Sequence, residues 1–345
     1  MKIKLERRSS EPKIPDERGK EIIKSVLAAI VFVTPLIFFA YAYDSYTLPK
    51  AIFLQLACSV LLAVWLISSI VKGEFSLKKS PLNLPVFLFF VAGVIATIFS
   101  IDKTLSFWGA YKRHEGLVTL VFYTLLFFAS ANFLNKKEGR FITNVFLTVA
   151  SITSLYGILQ YFGIDFVQIE LGTGADITRS FATFGNPVFL AAFLVMAFPI
   201  SCAFFAEARA KEDKCLYGMS TVLITFGLLF TASRGGWIGG FVGFVFLLIF
   251  SLKHMPVENK RLILIFVSFF IFILLITLTI KLPSKTEPLF SRVLSILEAG
   301  RGTAGTRLLM WKGSLKMIAA RPIVGYGPDT LKLVMPKYVS TKFYL

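Results

Sequence analysis

Nine long stretches with almost no charged residues limit the fold of this chain more than any other feature. They cover residues 24–43, 50–71, 84–100, 117–134, 141–162, 186–206, 216–232, 236–252 and 262–280. About 20 apolar residues are enough to cross a bilayer as a helix. The stretches are continuous rather than alternating, and in lipid only helices and closed barrels satisfy the backbone. We therefore predict an all-α polytopic membrane protein with about nine transmembrane helices.

The distribution of charge sets the predicted orientation. With the N-terminus in the cytoplasm and the loops alternating, 20 Lys and Arg residues fall on inner segments and six on short outer loops. The six are Lys50, Lys103, Lys112, Arg113, Arg179 and Arg234. This asymmetry follows the positive-inside rule. The net charge of +17 is thus explained by membrane topology, and we predict membrane lipids rather than nucleic acid as partners.

Three regions follow from these patterns. Residues 1–23 form a basic cytoplasmic tail, and residues 24–280 form the transmembrane bundle. Residues 281–345 contain several prolines and no stretch long enough to span. We predict that they begin a large outer loop with short amphipathic helices.

An arginine follows the seventh apolar stretch, in the sequence SRGGWIG. Ser233 is a suitable N-cap for the eighth span, which places Arg234 in its first turn. A cation there opposes the helix dipole, whereas a phosphate would gain from the arginine, the dipole and N–H groups near Gly235 and Gly236. We therefore predict an anion beside Arg234. The same glycines recur every four residues, which also predicts close helix packing.

Two other predicted outer segments contain candidate residues. Arg113 and Glu115 precede the fourth span beside Tyr111, as an anion site or as a snorkelling aromatic interface. His114 has no second catalytic partner nearby, and we take it as incidental. Asn186 and Pro187 predict a helix start.

The outer region contributes a further arginine. Thr306 is predicted to cap a helix that Pro322 closes, with Leu308, Trp311, Leu315 and Ile318 on one apolar face. Arg307 lies one turn from Trp311. The helix either lies on the bilayer surface or presents Arg307 to a ligand.

Taken in order, these motifs resemble the O-antigen ligase family. They are GNPVFLAAFL, SRGGWIG, and Arg307 and Trp311 followed by RPIVGYGPDTL. The stretch GAYKRHEGL resembles the outer loop of members with tetratricopeptide tails. The resemblance implies a C-type glycosyltransferase-like bundle in the bacterial inner membrane. It implies metal-independent, inverting transfer without a cofactor, from undecaprenyl pyrophosphate to lipid A–core or a similar acceptor on the periplasmic face. O-antigen polymerases and protein O-oligosaccharyltransferases use the same donor and are the alternatives.

The resemblance also assigns roles to residues. It implies that Arg234, Arg307 and Arg113 bind the donor pyrophosphate, supported by Ser233, Gly235, Glu115, Tyr111, Asn186 and Trp311. The family places an essential histidine later in the periplasmic loop, as the general base, and no histidine follows His254 here. We therefore expect a truncated chain whose catalytic base lies beyond Leu345. A transporter of an anionic solute is a further alternative, but the arginines cluster at one face rather than at the midplane.

Overall fold

The computed structural model describes residues 2–4, 16–42, 44–166, 179–254 and 303–339. Eleven α-helices occupy most of these residues. They are α1 Asp16–Leu36, α2 Thr47–Lys72, α3 Asn83–Ile98, α4 Lys103–Trp108, α5 Leu117–Phe133, α6 Lys136–Tyr161, α7 Pro187–Glu207, α8 Lys211–Phe230, α9 Arg234–His254, α10 Thr303–Ala320 and α11 Leu331–Val334. Two 3-10 helices (Ala182–Phe184, Met335–Lys337) and two short antiparallel strands (β1 Lys2–Lys4, β2 Glu74–Ser76) complete the list. The predicted all-α class is confirmed for the described residues, apart from this strand pair.

Four helices, α2, α6, α7 and α8, are long and apolar enough to cross a membrane, and three shorter apolar helices are α3, α5 and residues Arg234–Phe250 of α9. The ninth predicted span, 262–280, lies outside the described residues. The first differs from its prediction, because α1 begins at Asp16 and ends at Leu36. Pro35 lacks the N–H that a continuing helix needs. The count of about nine spans is therefore not confirmed.

Large apolar side chains are exposed along several of these helices. Phe89 is 67% exposed, Phe246 72% and Ile249 65%. A soluble protein rarely exposes contiguous apolar surface of this kind, whereas lipid chains cover it without cost. The exposure pattern supports a membrane protein.

The chain divides into two compact units, residues 1–142 with 300–345, and residues 143–299. In the first unit, α1, α2 and α5 share a core that contains Ile23, Leu61, Trp65 and Ala129. Trp65 also stacks on Phe75 with ring centroids 5.7 Å apart. The polar groups of this unit gather at its two ends.

A lysine-rich cavity marks one end of the first unit. It has a volume of about 670 Å³ and is lined in part by Lys20, Lys24, Lys72 and Lys78. The Asn83 amide, at the start of α3, donates to the Lys78 carbonyl oxygen over 2.8 Å. Since a 16-residue helix is about 24 Å long, Ser100, just beyond its other end, lies far from this cavity. Within the first unit, the lysine-lined cavity and residues just after α3 therefore lie at opposite ends of that helix.

In the second unit, small residues bring helices close together. A Cβ atom on Gly227 of α8 would lie 2.7 Å from the Cβ of Ser154 in α6. Nearby, the Ser151 and Ser220 hydroxyls are 2.7 Å apart. Hydrogen bonds between small polar residues are typical of packed membrane helices.

The glycine ladder of α9 packs as predicted. A Cβ atom on Gly236 would lie 2.8 Å from the Cβ of Ala191, and one on Gly239 would lie 3.3 Å from Val195. Both neighbours belong to α7, so α7 and α9 run in the same direction at close range. Any larger residue at Gly236 would force these helices apart.

Candidate functional site

The outer loop, defined here as residues 100–116, is held in a tight fold by its own backbone. A Cβ atom on Gly109 (φ +90°) would lie 2.6 Å from the Glu115 nitrogen. Arg113 Nη2 donates to Glu115 Oε2 over 2.9 Å, and both side chains are about half exposed. Tyr111 is 55% exposed and meets the His114 ring edge-on. The predicted Arg113, Glu115 and Tyr111 thus share one surface loop.

His114 has a feature that the sequence did not indicate. Its Nε2 atom is buried and has no hydrogen-bond partner among the described residues. Its backbone adopts a φ of +54°, which is uncommon outside glycine. The ring is packed into the loop, so the structure gives no support for a catalytic His114.

The lobe, defined as residues 303–339, carries Arg307 and Trp311 on α10. The helix begins at Thr303, so the predicted cap Thr306 lies inside its first turns instead. Leu308, Trp311, Leu315 and Ile318, the predicted apolar face, are all exposed. The small core of the lobe uses other residues, namely Met317, Val334, Met335 and Val339. The predicted apolar face is consequently free of the lobe's own core.

Two tyrosines of the lobe form a hydrogen bond, and one of them lies in its GYGP turn. The Tyr326 and Tyr338 hydroxyls are 2.6 Å apart, and this hydrogen bond raises the pKa of Tyr326. The Arg321 guanidinium lies 4.8 Å from the centre of the Tyr326 ring. These contacts fix the docked turn, defined as residues 326–330, relative to α10.

The docked turn binds the outer loop through neutral hydrogen bonds. Ser100 Oγ donates to the Tyr326 carbonyl oxygen over 3.1 Å, and Ser106 Oγ donates to the Pro328 carbonyl oxygen over 2.9 Å. Gly327 (φ +100°) lies so close that an added Cβ would overlap both serine hydroxyls. The structure therefore brings the lobe that carries Arg307 onto the loop that carries Arg113.

In the second unit, the arginine turn, defined as residues 230–236, leads into α9. The helix begins at Arg234, as predicted. The N–H of Gly236 donates to Ser233 Oγ over 3.4 Å, which confirms Ser233 as the N-cap. Gly235 is exposed, whereas Gly236 is buried. Of the two predicted glycine donors, only Gly235 therefore lies at the surface.

The backbone of the arginine turn is held by the segment before α7. The Ser180 N–H donates to the Phe230 carbonyl oxygen over 3.0 Å. Arg179 Nε donates to the Thr231 carbonyl oxygen over 3.0 Å. These carbonyls belong to the end of α8, where helix geometry leaves acceptors without intrahelical partners. The segment thus supplies donors to the last carbonyl oxygens of α8, and the same hydrogen bonds fix the backbone that leads into α9.

A buried polar network supports that segment. Gln160 is 0% exposed, and its Oε1 accepts from the N–H groups of Phe181 and Ala182 over 2.8 and 2.9 Å. Its Nε2 donates to Asp165 Oδ2 over 2.9 Å. The other Asp165 oxygen accepts from the Tyr156 hydroxyl over 2.6 Å. Every atom of the Gln160 amide is therefore committed to holding this segment.

The sequence analysis did not single out Gln160 or Asp165. A glutamine inside an otherwise apolar stretch was the available signal, because polar groups at membrane depth need partners. Asn186 was predicted correctly as the cap of α7, where its Oδ1 accepts from the Val188 N–H over 2.8 Å. That role is local and structural.

Backbone strain is concentrated in the same segments. Within the described ranges, five non-glycine residues have a positive φ: Lys112, His114, Ala182, Ala232 and Asp329. They fall in the outer loop, beside the arginine turn or in the docked turn. Such conformations cost about 1–3 kcal/mol each and cluster at functional sites. The strain therefore points to the same segments as the arginines.

Comparison with known proteins gives one match. Residues 219–343 match the family model Wzy_C, O-antigen ligase, and this range contains Arg234, Arg307 and the docked turn. No curated protein and no solved structure matches the chain. The resemblance predicted from the motifs is confirmed, and with the apolar helices it supports a membrane ligase or polymerase of glycans. Residues 219–343, which make up less than half of the chain, are therefore similar to the O-antigen ligase family.

Proposed function

We propose that this protein transfers a glycan from undecaprenyl pyrophosphate to lipid A–core, or a similar acceptor, on the periplasmic face of the bacterial inner membrane. The observation that carries the proposal is the position of Arg234, in the first turn of α9 and within the O-antigen ligase domain. The helix dipole and the N–H groups of a first turn favour an anion at that end, and a guanidinium adds bidentate hydrogen bonds to phosphate. A lipid diphosphate has the matching charge.

In the proposed reaction, the main contribution of these residues is to stabilise the negative charge of the leaving diphosphate. The acceptor hydroxyl oxygen attacks the anomeric carbon, and the bond from that carbon to the diphosphate oxygen breaks with inversion. The electron pair leaves with the diphosphate, whose growing charge Arg234 stabilises. The family resemblance assigns diphosphate binding to Arg307 and Arg113 as well. The acceptor proton passes to a general base. The family resemblance implies that this base is a histidine late in the periplasmic loop, and this sequence contains no histidine after His254.

Donor binding is the direct test. Purified protein is incubated with undecaprenyl pyrophosphate or with undecaprenol, which lacks the diphosphate, and bound lipid is counted by native mass spectrometry. We expect retention of the diphosphate only, and its loss in Arg234→Ala. Equal retention of undecaprenol, or wild-type binding by Arg234→Ala, would contradict the proposal.

The acceptor is tested separately in membranes that contain the lipid-linked glycan. We expect lipid A–core to gain glycan when this protein is present, seen as a slower band on a gel. Growth of the glycan on its lipid carrier instead would identify a polymerase.

A further inference from the structure

Asp329 lies in the docked turn, and its side chain is almost completely buried. Its side chain is 4% exposed, and its Oδ2 accepts from the Ala110 N–H over 2.6 Å. Its Oδ1 lies 3.4 Å from Arg113 Nε. The carboxylate therefore contacts both the backbone and the arginine of the outer loop.

The backbone of Asp329 is strained to make these contacts. Its φ is +60°, in the left-handed region that costs an L-residue about 1–2 kcal/mol. Asparagine and aspartate tolerate this region better than other residues do. The strain is retained although the neutral bonds of Ser100 and Ser106 already attach the turn. This suggests that the carboxylate has a task besides attachment.

We propose that Asp329 is a positioning residue that orients Arg113 toward the donor diphosphate. The claim rests on the function proposed above. Glu115 cannot set this orientation alone, because a half-exposed pair on a surface loop is worth only about 0–1 kcal/mol. The Asp329 carboxylate is buried and fixed by its bond to the Ala110 N–H, so it is a more rigid partner for the guanidinium than the half-exposed Glu115. Asp329 thereby links the lobe that carries Arg307 to a second donor-binding arginine.

The substitution Asp329→Asn separates orientation from attachment. Asparagine keeps an oxygen for the Ala110 N–H and tolerates the left-handed backbone, but it removes the charge that attracts Arg113. A matched control is Asp102→Asn, which removes one carboxylate charge from the outer loop itself, where Arg113 lies. Asp102 caps α4 by accepting from the Leu105 N–H over 2.9 Å, and asparagine caps equally well.

Two measurements on the full chain test the proposal. The first is native mass spectrometry with undecaprenyl pyrophosphate. We expect Asp329→Asn to weaken binding about tenfold, the scale of one charge-assisted contact, and Asp102→Asn to bind as wild type does. In an Arg113→Ala background, Asp329→Asn should weaken binding no further, because its effect passes through Arg113.

The second measurement does not depend on the donor. Phenylglyoxal labelling of Arg113, followed by peptide mass spectrometry, should be severalfold faster in Asp329→Asn and unchanged in Asp102→Asn. Unchanged labelling, unchanged donor affinity, or an equal loss of affinity without Arg113 would each overturn the positioning role. A further outcome is that labelling rises in Asp329→Asn while the wild-type protein binds undecaprenol as well as it binds undecaprenyl pyrophosphate. In that case Asp329 does restrain Arg113, but the proposed function and the proposed role in donor binding are wrong.

Discussion

Two segments of the molecule present a predicted donor-binding arginine, and they hold it by different means. In the outer loop, Arg113 is gripped by two carboxylates, one from its own loop and one from Asp329. In the arginine turn, the backbone before Arg234 is fixed by bonds to carbonyl oxygens and by the buried Gln160 amide behind them. Charge holds the Arg113 side chain in the first segment, whereas main-chain hydrogen bonds fix the backbone before Arg234 in the second. Substitutions in the two should therefore fail in different ways.

The largest expected effect is on glycan transfer, and it comes with different changes in stability for Arg234 and Arg113. Arg234→Ala should reduce glycan transfer by about 10²–10³-fold, the scale of losing one preorganised charge stabiliser, with little change in thermal stability. Arg113→Ala should also lower stability, because it leaves the buried Asp329 carboxylate without its cation. Initial transfer rates and melting temperatures in detergent measure both effects.

Arg234→Lys provides the sharper version of that test. Lysine keeps the charge but cannot form the bidentate fork, so transfer should stay well below wild type. A lysine variant with full activity would show that Arg234 acts only as a point charge.

A smaller effect is expected where the docked turn meets the outer loop. Gly327→Ala should destabilise the protein by roughly 3 kcal/mol, from left-handed strain and overlap with the two serines. Gly325→Ala is the control, because Gly325 also has a positive φ (+62°) but its added Cβ meets nothing within 4 Å. Thermal unfolding of both variants compares strain alone with strain plus overlap. Equal melting temperatures would mean that the turn is not packed against the loop.

Asp165→Asn tests the buried polar network behind the arginine turn. The new amide keeps only one oxygen for two donors, the Tyr156 hydroxyl and Gln160 Nε2. Gln160 cannot rotate its amide to compensate, because its oxygen serves two backbone donors. We expect a loss of about 2 kcal/mol, although the residue has the same size and less charge. Chemical denaturation measures this loss, and an unchanged free energy of unfolding would show that the network does not need both carboxylate oxygens.

The smallest effect is expected at the cap of α9. Ser233→Ala removes a hydrogen bond that is already long, 3.4 Å, so the cost should be near 0.5 kcal/mol, the low end for N-caps. Ser233→Gly, which replaces the cap with a flexible residue, should cost still less. A melting temperature several degrees below wild type in either variant would show that the cap does more than satisfy one N–H group.

Local features of this fold were predictable from the sequence, and long-range ones were not. The caps at Asn186 and Ser233 depend on residues within one turn, and the glycine repeat of α9 marks a packing face without specifying its partner helix. All three features were predicted correctly. The contact of Ser106 with Pro328 joins residues 222 positions apart, and no local pattern marks such a pair. Asp329 therefore looked like an ordinary turn residue. The start of α10 was misplaced by one turn, because both Thr303 and Thr306 are plausible caps.

The distance along the chain between Asp329 and the outer loop also has a consequence for biosynthesis. Ala110 and Asp329 are separated by 219 residues. At synthesis rates of 5–20 residues per second, the ribosome reaches Asp329 about 10–40 s after it has completed the outer loop. Of the two carboxylates that contact Arg113, Glu115 and Asp329, only Glu115 has been synthesised during that interval. The outer loop therefore cannot reach its final form until Asp329 has been synthesised, well after the loop itself.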